Sequence, residues 1–241
     1  MMTKKSNAGS KNATQTVAEH TCAYCGREFS RPSSLEVHLC EQKRRNNERD
    51  ERGVQIGYRA FIRFYEITQG SAKLKTWDDF VRIPYYKAFV KFGRYCTGTR
   101  VIEAEQYLEW LLQTNKKLDH WCKDSLYDEF LIQYLRQELP IPAIKRALDA
   151  ADRWHSVTGN PQKDYLRYGN TNEICLAITG GRISPWILYN TNGGTQFLES
   201  LDTAQINMIW PYIDSEFWQR RFQTCTVERV YVESYFQELG W

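Results

Sequence analysis

Four positions near the N-terminus constrain this 241-residue chain more than any other stretch. Cys22 and Cys25 have two residues between them, a spacing at which one tight turn aims two thiolates at a single metal ion. Twelve residues then separate Cys25 from His38, enough chain for the second strand of a hairpin and the start of a helix. The fourth donor is less obvious. Gln42, Lys43 and Arg44 cannot serve, whereas Cys40 lies two residues beyond His38. Two residues of a regular helix point about 200° apart, so His38 and Cys40 reach one ion only if the helix unwinds there. Cys40 is the expected fourth ligand, with His20 in reserve. A segment this short has little core of its own, so a bound metal would supply its folding energy.

The pattern C-x2-C-x3-F-x5-L-x2-H, running from Cys22 to His38, resembles the C2H2-type zinc finger, in a C2HC variant when Cys40 is the last ligand. The resemblance implies a ββα unit around one Zn2+, with Phe29 and Leu35 as its small core. It departs from that family in the interval after His38, where the second His or Cys falls about four to six residues on. Ser30 is expected as N-cap, with Pro32 at the first helical position, where a missing N–H costs nothing. The family's way of docking on DNA implies that Arg31, Ser33, Ser34 and Val37 face bases. Arg31 could hold a guanine bidentately, worth about 1–3 kcal/mol of discrimination. A single finger reads about three base pairs, too few for useful specificity alone.

Charge is unevenly distributed. Residues 43–100 carry fourteen basic against six acidic side chains, whereas residues 101–241 carry thirteen against nineteen. The basic part suits nucleic acid or another polyanion, and the acidic C-terminal part suits a protein partner. Lys43, Arg44 and Arg45 directly follow the motif. Lys87, Lys91 and Arg94 recur at helical spacing and form one basic face; both groups are candidates for phosphate contacts.

No run reaches the ~18 apolar residues of a membrane span, and the N-terminus has no apolar segment after its lysines. Seven cysteines without a disulfide-like framework suit a reducing compartment, which makes the Asn12-Ala13-Thr14 sequon incidental. These features lead to the expectation of a soluble, cytoplasmic protein without a membrane partner. Enzyme chemistry finds little support: His120 and His155 lack a nucleophile context, and no glycine-rich phosphate loop exists. The dispersed carboxylates and lysine of a nuclease would leave no local signature.

Beyond the motif the pattern is helical throughout. Apolar residues at helical spacing predict helices over 53–68, 103–113, 124–138, 142–155, 171–179, 184–189, 195–201, 202–210, 214–222 and 226–239. Thr76 reads as an N-cap before an acidic first turn, Pro84 as a helix opener, and Gly240 as the final stop. Aromatic runs such as FIRFYEI and EFWQRRF fit core packing, and any base-stacking ring is expected between Tyr58 and Tyr95. The expected organisation is a disordered tail at 1–20, the finger at 21–42, a basic linker (or the opening turns of the next helix) at 43–52, and an all-α domain at 53–241. Segments such as ITQGSAKLKTWDDF and INMIWPYIDSEFWQRRF are similar to proteins of T-even-like tailed bacteriophages in which a cysteine-rich finger precedes a helical body. That resemblance implies a viral protein acting in a bacterial cytoplasm or packaged in a virion; it supplies no catalytic residues.

Overall fold

The computed structural model describes residues 20–70 and 74–241. The expected disordered tail, except for His20, lies outside the described residues. A two-stranded antiparallel hairpin, β1 (His20–Thr21) and β2 (Glu28–Phe29), pairs His20 with Phe29 and Thr21 with Glu28. All other regular structure among the described residues is helical, so the fold is a small ββ unit joined to an all-α body. The helices are α1 (Pro32–Glu36), α2 (Glu41–Asn47), α3 (Arg52–Gln69), α4 (Trp77–Arg82), α5 (Tyr86–Thr99), α6 (Ala104–Gln113), α7 (Asp124–Gln137) and α8 (Pro140–Thr158). After them come α9 (Tyr165–Tyr168), α10 (Thr171–Thr179), α11 (Pro185–Leu188), α12 (Asn192–Glu199), α13 (Thr203–Ile213), α14 (Ser215–Thr224) and α15 (Thr226–Glu238). No helix among the described residues is long and apolar enough to cross a membrane.

The body is organised first by the antiparallel pair α3 and α5. Gly53, Gly57 and Gly93 let their backbones touch: a Cβ on Gly93 would lie 1.9 Å from the Gly53 carbonyl oxygen, and one on Gly57 2.5 Å from that of Phe89. Close approach brings the flanking rings together. Phe61 packs edge-on against Phe89, and Trp121 meets both Phe89 and Phe92. These side chains are buried, so the aromatic runs form core. Fully burying such rings stabilises by about 1.5–3 kcal/mol each.

The later helices close around Trp186, Trp218 and Phe222, whose rings are in mutual contact. At their edge the C-terminal end of α7 turns inward. Glu138 is buried and accepts hydrogen bonds from Arg146 and Ser184 Oγ. Its backbone carbonyl accepts from Trp186 Nε1 at 3.1 Å and Arg221 Nη2 at 2.8 Å. The buried carboxylate and the carbonyl at the C-cap of α7 thus both find donors, as a low-dielectric interior requires.

Several boundaries move. The first half of the charged stretch expected as a linker at 43–52 belongs to α2, and it is docked on the body: Trp77 Nε1 donates to Asn46 Oδ1 at 2.7 Å. The helix expected from 142 begins at Pro140, the first helical position, where proline loses no hydrogen bond. The helix expected to end at 210 runs through Pro211 to Ile213, and Asp214 then caps α14 by accepting from the Phe217 N–H. Pro84 precedes α5 without opening it, since that helix starts at Tyr86. Thr76 caps α4 reciprocally with Asp79, and Gly240 adopts φ 73° after the last helix.

Candidate metal centre and basic groove

Between the two strands the chain makes a tight knuckle. The Cys22 N–H donates to the Arg27 carbonyl at 2.9 Å, and the Gly26 N–H returns to the Cys22 carbonyl at 2.9 Å. Gly26 sits at φ 71°, a conformation that costs glycine nothing. The knuckle aims Cys22 and Cys25 inward together. At the start of α1 the cap differs from the expectation: Arg31, not Ser30, is the N-cap, and it makes no side-chain hydrogen bond. Pro32 holds the first helical position.

The helix ends at Glu36, before the first helical ligand, and this early stop resolves the spacing problem. His38 and Cys40 lie outside α1, and Cys40 is extended at φ −87°, ψ 162°, so the 200° divergence never arises. Cys40 is also the N-cap of α2, where its sulfur accepts from the Lys43 N–H at 3.3 Å. His20, the reserve candidate, pairs in the strand and stays out of the donor group.

The four donor atoms of Cys22, Cys25, His38 and Cys40 lie within 4.8 Å of one another. Cys22 and Cys40 sulfurs are 4.0 Å apart, and Cys25 Sγ is 3.3 Å from His38 Nε2. Tetrahedral bonds of about 2.3 Å to sulfur and 2.0 Å to nitrogen put S···S at ~3.8 Å and S···N at ~3.5 Å. The donor set therefore fits one metal ion. The backbone N–H of Cys25, followed by that of Tyr24, holds the Cys22 thiol below its ordinary range. At Cys25 the Arg27 N–H favours the thiolate, but desolvation and the neighbouring Cys22 and Cys40 sulfurs outweigh it and push that thiol up. Crowded sulfurs of this kind are relieved by a shared cation. Around them the expected core is thin: Phe29 and Leu35 are only half-buried, and the Phe29 ring lies 4.8 Å from that of His38.

The candidate nucleic-acid residues separate into two groups. Arg31, Ser33, Ser34 and Val37 are all exposed on or beside α1. Arg44, Lys87, Lys91 and Arg94 converge on one groove of about 630 Å³ between α2 and α5, which Tyr86, Tyr95 and Glu48 also line. Sequence reading did not place Glu48 there, because nothing local links it to α5. Lys43 is half-buried and does not line the groove.

Arg45 corrects the expectation most clearly. It is a buried core residue and not a surface cation: Nη1 donates to the Val81 carbonyl at 2.5 Å and Nη2 to Glu41 at 2.7 Å, while the guanidinium covers the Tyr86 ring at 4.4 Å. Its place one position after Arg44 turns it about 100° around the short helix, away from the groove and onto α4 and Tyr86. Arg94 faces the groove but is committed to Glu51 through two hydrogen bonds of 2.7 and 2.6 Å. Of the two histidines weighed for catalysis, His120 is exposed in a 3-10 turn and His155 Nδ1 contacts the Asn160 carbonyl at 2.8 Å.

No family model, curated protein or solved structure matches this chain.

Proposed function

We propose that the chain binds nucleic acid, DNA in the first instance, through a Zn2+-loaded finger and the basic groove beside it. Three thiolates and an imidazole in tetrahedral spacing are the donors that suit zinc. The observation that carries this reading is the continuity of the two sites. Cys40 caps α2, and one turn later the same helix supplies Arg44 to the groove that Lys87 and Lys91 line. In this reading the exposed face of α1 approaches bases with Arg31, Ser33, Ser34 and Val37, while Arg44, Lys87 and Lys91 hold phosphates. Arg45 contributes nothing directly, and Arg94 only by releasing Glu51. The role is regulatory or replication-associated and non-enzymatic, in the bacteriophage setting that the sequence resemblance implies.

Fluorescence anisotropy on labelled duplex and single-stranded oligonucleotides tests it. Three phosphate contacts give a log–log salt slope near −2.7 on duplex DNA, hence about 40-fold weaker binding at 200 than at 50 mM salt. A zinc chelator weakens binding further, and Lys87→Glu with Lys91→Glu abolishes most of it. Absence of binding at the lower salt ends the nucleic-acid reading.

One observation favours a second reading. Val37 and Leu39, on either side of His38, are 82% and 73% exposed. Apolar side chains so displayed on a finger suit a protein surface, and in that reading the finger is a docking module of a structural or assembly protein. Retained partner capture by Arg44→Glu, with loss in Val37→Asp, selects it.

A further inference from the structure

The helical body gathers a second set of cations that sequence order conceals. Arg100 ends α5, Arg153 lies in the last turns of α8, and Arg182 follows α10. These three arginines line two adjoining cavities, of about 400 and 710 Å³, and form the wall the cavities share. None of the three makes an ion pair among the described residues, although Arg63, Arg94, Arg136, Arg146 and Arg229 all do. Asp149 lines the smaller cavity and Glu173 the larger without engaging them.

Arg182 is held in place deliberately. Gly181 adopts φ 71°, where a Cβ would also strike Leu131 and Ile102. The Arg182 N–H donates to the Ala177 carbonyl at 2.8 Å, and Nη2 to the Leu176 carbonyl at 3.2 Å. Arg146, which lines the smaller cavity, has its Nη1 buried without a hydrogen-bond partner. Burial, then the charges of Arg100 and Arg153, lower the Arg182 pKa. Guanidiniums crowded in this way repel one another until an anion sits between them, and their fork geometry matches phosphate oxygens.

The larger cavity continues onto an aromatic wall. Trp154 and Tyr165 lie with ring centroids 5.7 Å apart, and Tyr168 is 72% exposed beside them. The exposed Tyr168 ring and the half-buried Trp154, next to arginines without an ion pair, suit a ligand with a phosphate at one end and an aromatic ring at the other. We propose that this cleft binds a nucleotide unit, its phosphates on Arg100, Arg153 and Arg182 and its base against Trp154 and Tyr168. The nucleotide can be free or part of a strand; the chemistry of recognition is the same. The proposal does not rest on the finger.

Calorimetric titration of the full-length, zinc-loaded protein with pyrophosphate, ATP and an oligothymidylate, at constant ionic strength, tests it. ATP binds more tightly than pyrophosphate, and Arg153→Gln weakens both at least about tenfold, the worth of one charge-assisted hydrogen bond. Trp154→Leu weakens ATP more than pyrophosphate, and Arg220→Gln changes neither. Without ligand, Arg153→Gln melts higher than the wild type because a repulsion is gone. Binding of the oligonucleotide alone, lost in Arg153→Gln, makes a strand the source; binding of ATP makes it a free nucleotide. Chelating zinc leaves ATP affinity unchanged, which separates this site from the finger. The proposal is overturned if no probe binds, or if Arg153→Gln and Arg182→Gln both bind as the wild type does.

Discussion

The finger and the helical body are held by opposite means. From residue 20 to residue 44 only Cys22 is buried, and Phe29 and Leu35 remain half-exposed. In the body, by contrast, Phe80, Tyr107, Leu108, Leu131 and Trp186 are wholly withdrawn from water. The body is stabilised by apolar area, a diffuse force that tolerates small local losses. Loaded as proposed, the finger would concentrate its stability in four donors around one ion, so that each donor would be indispensable. Between them, α2 belongs to both: Cys40 at its start is a donor, and Arg45 in its middle is buried against α4 and Tyr86. Helix α2 thereby makes the finger continuous with the body in space.

Metal removal should divide the two regions most sharply. Structural zinc contributes about 10–16 kcal/mol of apparent binding energy in isolated fingers. Chelation, or Cys22→Ser, should therefore collapse the amide resonances of residues 20–40 while the main thermal transition persists. If one transition disappears with the metal, the body depends on the finger and the comparison fails.

The converse experiment breaks the body and spares the finger. Gly93→Ala places a methyl 1.9 Å from the Gly53 carbonyl and forces α3 and α5 apart. Overpacking of backbone against backbone costs about 3 kcal/mol or more. Urea denaturation should show that loss, with metal affinity of the finger unaltered. An unchanged denaturation midpoint would mean that the two helices can separate freely.

A smaller effect sharpens the boundary. Glu51 is held below the usual carboxylate range by its hydrogen bonds to Arg94, with burial opposing and the Arg94 charge assisting. A lowered folded-state pKa gives stability that is present above the ordinary value and lost as pH falls through the lowered one. The pair is half-exposed, so salt screens it. Between pH 5 and about pH 3, denaturation midpoints of the wild type should fall more steeply than those of Arg94→Gln, and high salt should remove the difference. The two profiles would run parallel if the pair contributes nothing.

Much of the body was readable because helix signals are local. The helix at 171–179 matches its expected bounds, and Thr76 caps α4 as expected, three residues before Asp79. The finger was readable for the same reason: Cys22, Cys25, His38 and Cys40 lie within nineteen positions, and ligand spacing is a property of short chain. The early end of α1 was legible only as a requirement that His38 and Cys40 imposed. Arg45 was misread because composition cannot tell which side of a short helix meets a neighbour.

By itself, then, the sequence determined the class of fold, most helix positions and the donor set of a candidate metal centre, since these depend on residues within a few turns of one another. Tertiary structure alone decided that Gly53 and Gly57 meet Gly93, that Arg44 faces the groove while Arg45 is buried, and that Arg100, Arg153 and Arg182 share one wall. Those relations join segments up to 82 positions apart, read from residue numbers 100 and 182. They arise only when apolar burial packs whole helices together, and that burial is set by the shape of the assembled core and not by any local pattern.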